Sequence, residues 1–208
     1  MMKIKKYVDN RYDGNCYLII NDKEAIIIDP TIEKEKLKLE KSIKIVAVFI
    51  THAHFDHIIA LESYIEDEIK IYLHPYAYHK LNSSLKNLSC LCHEKVAISV
   101  PEQMIIKTID EGHYLIANLD CQIIHTSGHS NCSQCILIDR SLFTGDTLFK
   151  NDVGRTDLPT GSSKNLQESL KKIVTLPYDY TIYPGHGEMT TLIEEKNTNP
   201  YLKGERDV

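Results

Sequence analysis

The chain has twelve tyrosines but no tryptophan, and no apolar run long enough to span a bilayer. It shows no internal repeat and no low-complexity segment, which excludes repeat architectures and disordered tails. Lys and Arg are scattered, and the formal net charge is −5, so no nucleic-acid footprint is visible. The N-terminal Met-Met-Lys-Ile-Lys-Lys-Tyr-Val is basic but lacks the apolar core of a signal peptide. A cytoplasmic protein that binds neither membrane nor nucleic acid is expected. Its six cysteines then read as free thiols. Within those limits, 208 residues that are 42% apolar and 25% charged suffice for one substantial domain over 1–208.

Against this ordinary background stands Thr51-His52-Ala53-His54-Phe55-Asp56-His57. It follows Lys44 to Ile50, a β-branched apolar run that reads as a buried strand. Packing does not call for three imidazoles and a carboxylate within six positions beside a core, because unpaired polar groups there are costly. Metal ligation explains them.

The remaining pattern predicts strands at Ile4–Val8, Cys16–Ile20, Ala25–Ile28, Ile69–Leu73, Ile105–Ile109, Tyr114–Ala117, Cys121–His125, Gln134–Ile138, Ser141–Phe143 and Tyr180–Tyr183. Helices are predicted at Glu33–Lys41, from Asp56 through Ile65, from Pro75, at Lys164–Leu176 and at Thr190–Lys196. Two similar sets of strands and helices imply two sheets face to face with helices outside, an α/β four-layer sandwich.

Further short signals lie at the ends of later strands: His125-Thr126-Ser127-Gly128-His129, Thr144-Gly145-Asp146-Thr147 and Tyr183-Pro184-Gly185-His186-Gly187. Each alone is ordinary turn chemistry. Joined to the first cluster they give His52, His54, His57, His129 and His186 with Asp56 and Asp146. Seven ligands exceed what one four-coordinate catalytic zinc takes from protein. They suit two adjacent divalent ions sharing a carboxylate, roughly 3.5–4 Å apart. Zinc is the first expectation, and an all-N/O site also accepts iron or manganese. The excess positive charge of such a pair favours a bound hydroxide and an anionic substrate.

His-x-His-x-Asp-His, followed by His129, Asp146 and His186 in these contexts, resembles the metallo-β-lactamase superfamily over essentially the whole chain. The resemblance implies the αβ/βα sandwich with metals at one edge between the sheets. It implies His52, His54 and His129 on one metal, Asp56, His57 and His186 on the other, and Asp146 bridging. No Cys stands at a motif position, so antibiotic hydrolysis is not the expected native task. Gly145-Asp146-Thr147-Leu148-Phe149 and Gly154-Arg155-Thr156-Asp157-Leu158-Pro159 resemble the glyoxalase II-like thioesterases. The longer glyoxalase II enzymes carry a C-terminal helical extension with glutathione contacts, whereas here 22 residues follow His186, so the match is to the short group.

The implied reaction is hydrolysis of a small-molecule hydroxyacyl thioester by metal-bound hydroxide, with Asp56 and Asp146 as catalytic carboxylates and Arg155 as a substrate contact. A thiol of pKa about 8.5 departs as thiolate without a strong acid. Related persulfide dioxygenases carry a similar Gly-Arg-Thr-Asp stretch, so oxidation at a single iron is an alternative, as is cleavage of another small ester or lactone. A third reading, a redox or metal-sensing module, rests on Cys132-Ser133-Gln134-Cys135 with Cys90 and Cys92. His125, beside a ligand segment, is a candidate to orient it.

Overall fold

The computed structural model describes residues 2–208. β1 (Lys3–Val8), β2 (Asn15–Asn21) and β3 (Glu24–Ile28) form an antiparallel meander whose second turn puts Asp22 at φ 52°. β4 (Lys44–Phe49) then joins β3 in parallel. α1 (Phe55–Ile58) leads on to β5 (Lys70–Leu73), and α2 (Pro75–Leu81) leads on to β6 (Ile105–Lys107). β5 and β6 extend the parallel set, giving a six-stranded sheet in the order β1-β2-β3-β4-β5-β6.

The second half repeats the theme. β7 (His113–Ile116), β8 (Leu119–His125), β9 (Gln134–Ile138) and β10 (Ser141–Gly145) run antiparallel. A two-stranded ribbon, β11 (Leu148–Phe149) with β12 (Asp152–Val153), precedes α3 (Ser163–Val174). β13 (Thr181–Pro184) pairs in parallel with β10, β14 (Thr190–Thr191) closes the edge, and α4 (Leu192–Thr198) follows. The second sheet therefore reads β14-β13-β10-β9-β8-β7.

Strand alternation decides the layering. Tyr17, Ile19, Ile26, Ile28 and Phe49 point one way and meet Ile123, Ile136 and Phe143 between the sheets. Their neighbours Leu18, Ile27 and Val48 point the other way, under Leu61, Ala77 and Leu81. On the far side, Ile124, Leu142 and Ile182 pack against Leu166, Leu170 and Ile173 of α3. Three apolar layers separate four structural ones, which is the expected αβ/βα sandwich.

Three predicted helices differ in extent. Glu33–Lys41 shrinks to a 3-10 turn at Lys34–Leu37, ended by Lys38 at φ 49°. Its alternating charges give no apolar stripe, and within that turn only Leu37 is buried. The helix expected from Asp56 through Ile65 breaks into α1 and a 3-10 turn at Leu61–Tyr64. There the Ala60 amide bonds the Pro30 carbonyl at 3.0 Å instead of continuing the helix ladder. Thr190–Lys196 starts later, because Thr190 and Thr191 pair with β13, and Thr191 Oγ1 then caps α4 by accepting from Glu194 N at 3.2 Å.

The elements bring the carboxyl ends of β4, β8, β10 and β13 to one edge of the sandwich. The histidine cluster follows β4, His129 follows β8, Asp146 follows β10 and His186 follows β13.

Candidate metal centre

β4 ends in the middle of its sheet, so the chain leaving it can reach across to the second sheet. Gln134 of β9 secures that exit. Its amide donates to the Thr51 carbonyl (2.9 Å), its Nε2 donates to the Ile50 carbonyl (2.9 Å), and its Oε1 accepts from Thr108 (2.6 Å). The two sheets are therefore tied together directly behind the histidines. His52, His54, His57 and His129 are all buried.

Three ring nitrogens converge there. His54 Nδ1 lies 3.1 Å from His52 Nε2 and 2.9 Å from His129 Nε2. The tautomers of the outer two are set from behind. His129 Nδ1 donates to the Arg155 carbonyl at 2.9 Å. Thr51 Oγ1 donates to Asp29 at 2.6 Å and so accepts from His52 Nδ1 at 3.2 Å. Both Nε2 atoms are thus left with lone pairs, aimed at a third nitrogen. One proton on His54 Nδ1 satisfies one neighbour; a cation satisfies all three.

Asp29, at the end of β3, holds the adjoining group as well. It accepts from Thr51 N (2.7 Å), Thr51 Oγ1 (2.6 Å) and His57 Nδ1 (2.8 Å). His57 Nε2 is thereby turned inward, buried with no hydrogen-bond partner, 3.4 Å from Asp146 Oδ1 and 3.9 Å from Asp56 Oδ2. His186 places Nδ1 3.1 Å from Asp146 Oδ1 and Nε2 3.4 Å from Asp56 Oδ2. Its loop is clamped by β2: Asn15 Nδ2 and Tyr17 Oη donate to the Pro184 carbonyl at 2.8 and 2.6 Å.

Three sets have ligand atoms all within 4.8 Å of one another: His52, His54, His129; His52, His57, Asp146; and Asp56, His57, His186. All seven residues expected from the sequence meet in one place, with Asp146 between the outer sets; its Oδ2 is 3.7 Å from His129 Nε2. Gly185 makes the close approach possible, since a Cβ there would stand 2.2 Å from Asp146 Oδ1 and 2.6 Å from His57 Cε1.

The electrostatics divide the cluster. Burial and the neighbouring imidazoles hold His52 well below its ordinary pKa and push His54 down to about 3. Burial also opposes charge on His57 and His186, but Asp146, Asp29 and Asp56 outweigh it at His57. At His186 the hydrogen bonds to Asp146 and Asp56 do the same and raise it to about 9. One half is therefore a set of neutral donors, and the other holds protons against carboxylates.

A family model described as the metallo-β-lactamase superfamily matches residues 9–83 and 122–186. The chain belongs to the metallo-β-lactamase superfamily. Its fold and its convergent His/Asp edge are those of a superfamily that uses divalent metals, and it is a metallo-hydrolase. A probable metallo-hydrolase of Streptococcus pyogenes is 34% identical, over 97% of this chain and 91% of its own length. The crystal structure of the BLEG-1 B3 metallo-β-lactamase superposes with a TM-score of 0.88 at 32% identity, covering 97% of this chain and all of that one. TTHA1623, in a di-iron-bound form, gives 0.80 at 31% identity, covering 95% of this chain and all of that one.

The other sequence candidates fall nearby or elsewhere. Arg155 is exposed, and its guanidinium forms a two-bond pair with Asp157 at 2.7 and 2.6 Å. Its carbonyl is what orients His129. His125 stacks on His74, with ring centroids 4.2 Å apart, and donates to the Asn131 carbonyl at 3.2 Å, behind the His129 loop. Cys132 and Cys135 are free thiols that pack into separate cores. No helix among the described residues is long and apolar enough to cross a membrane. Sequence reasoning missed Asp29, Gln134 and Asn15. Asp29 was legible only as the Asp-Pro end of a strand, although a carboxylate leaving the strand next to β4 is well placed to reach its histidines.

Proposed function

We propose that this metallo-hydrolase is a binuclear enzyme of the glyoxalase II-like kind, cleaving a small hydroxyacyl thioester. The observation that carries the reading is the convergence of buried, unprotonated imidazole nitrogens beside a carboxylate pair. His52, His54 and His129 would hold one ion and Asp56, His57 and His186 a second, with the Asp146 carboxylate lying between the two sets. Zinc suits these donors, and the di-iron form of TTHA1623 makes iron a second candidate. When bound, two divalent ions lower the pKa of water and polarise a carbonyl.

The chain's own residues do the rest. Asp29 and the Arg155 carbonyl fix two imidazoles so that each presents its Nε2. Asp56 Oδ2 would join His57 and His186 in holding the second ion, leaving the other carboxylate oxygen of Asp56 to orient the proton of the attacking water. The strands behind His52 exclude solvent from the back of the site. A thiolate leaving group needs no further acid, which matches the absence of one beside the ligands among the described residues.

The test is a panel assay of metal-loaded and metal-stripped protein on hydroxyacyl thioesters, simple esters, a lactone and a β-lactam, the last because BLEG-1 is described as a B3 metallo-β-lactamase. Thioesters are expected to exceed the others in kcat/KM by about tenfold or more. A β-lactam or lactone preference would overturn the thioester assignment, as would one iron per chain with oxygen uptake on a thiol persulfide.

A further inference from the structure

Lys80, in the last turn of α2, is only 5% exposed. Its Nζ makes one hydrogen bond among the described residues, to Thr160 Oγ1 at 3.2 Å, and faces no carboxylate within 4 Å. Lys34, Lys36, Lys44, Lys150, Lys172 and Lys203 each face one. The helix C-terminus suits a cation without neutralising it. A buried ammonium with a single neutral partner is costly to keep.

Thr160 is unusual in its own right. It is β-branched and sits at φ 72°, a region such residues avoid. Its hydroxyl oxygen already accepts from Lys80 Nζ and from Asn131 N at 3.3 Å, so its hydrogen is free to donate. Lys80 Nζ and the hydroxyl of Thr160, an exposed residue, thus keep donors that no protein acceptor takes among the described residues. Beside them the Asn131 side-chain oxygen is buried with no partner. Asn131 lies two residues past His129, and the loop carrying Thr160 also carries the Arg155 carbonyl that orients His129.

Resting on the thioesterase reading, we infer that Lys80 and Thr160 form a carboxylate-binding subsite beside the metal centre, where the substrate's acidic end is held while its thioester meets the metals. Asn131 takes an N–H or O–H donor next to that carboxylate. The carboxylate belongs either to the acyl group or to the carrier thiol.

Three thioesters separate these cases: a neutral one, one with the carboxylate on the acyl side, and one with it on the thiol side. In Lys80→Met the ratio of kcat/KM for one acidic thioester over the neutral one is expected to fall by about tenfold or more, mostly through KM, and Lys80→Arg is expected to recover much of it. The substrate arm that responds identifies the source. Thermal melting of Lys80→Met is expected at or above the wild-type temperature, since a buried charge is removed. A binding readout stands apart from activity: lactate titrated into metal-free protein should produce saturable amide NMR shifts at Asn131 and Thr160 that Lys80→Met and Lys80→Gln abolish. Equal losses on all three thioesters, unchanged ratios, a markedly lower melting temperature, or lactate shifts that persist in the variants would each overturn the subsite. If no thioester is cleaved, the thioesterase reading falls, and the NMR titration alone decides the role of Lys80.

Discussion

Asp29 Oδ2 accepts a 2.8 Å hydrogen bond from Nδ1 of His57, and both side chains are buried. The bond decides which nitrogen His57 offers to the cluster. Replacing Asp29 by Ala removes it, along with both bonds to Thr51. Metal affinity is expected to fall by about 10–100-fold. Competition with a chromophoric chelator measures this, and affinity equal to wild type would show that His57 needs no such support.

Gly185 gives a steric test of the same geometry. In Gly185→Ala the new methyl collides with Asp146 Oδ1 and the His57 ring. Overpacking of this kind costs roughly 1–3 kcal/mol. The expected signature is a lowered melting temperature together with weakened metal binding. A variant with intact metal affinity would mean that Asp146 and His57 do not need to approach that backbone.

The proton balance makes a pH prediction. His186, raised to about 9 from 6.5 by Asp146 and Asp56 against burial, holds a proton at neutral pH, and His57 is raised as well. A raised imidazole pKa stabilises the metal-free fold fully below about 6.5, and that contribution is lost as pH climbs through about 9. A metal takes the place of these protons. Metal addition at pH 7 should therefore release protons, and affinity should rise toward pH 9. Calorimetry in buffers of different ionisation enthalpy counts them. Zero release would contradict the assigned protonation.

Glu195 offers a stability test far from the chemistry. Fully buried, it accepts from Asn151 N (2.8 Å), Thr190 Oγ1 (2.7 Å) and Asn199 Nδ2 (2.8 Å), joining α4 to β14 and to the turn between β11 and β12. Glu195→Ala strands three donors and is expected to cost on the order of 3 kcal/mol in chemical denaturation.

Much of this was legible in the sequence, for identifiable reasons. The seven candidate residues lie in the segments that leave β4, β8, β10 and β13, where side chains are freed from strand packing, and their types are too expensive to keep there without use. The β-branched runs marked the sheets because alternation and burial act on every residue. What stayed hidden depends on contacts distant in sequence. The break after Ile58 arises because Ala60 binds Pro30, which no local pattern records. Asp29 looked like a strand terminator because its partners, Thr51 and His57, lie 22 and 28 residues on. Lys80 carries no local signal either, because its one hydrogen-bond partner among the described residues, Thr160, lies 80 positions on.

The central claim is that the chain holds a pair of metal ions, and metal stoichiometry tests it most directly. Metal-stripped protein titrated with zinc, with bound metal counted by elemental analysis after desalting, is expected to retain two ions per chain, reduced in His54→Ala. Retention of one ion or none by the wild-type chain, or an unchanged count in His54→Ala, would contradict it.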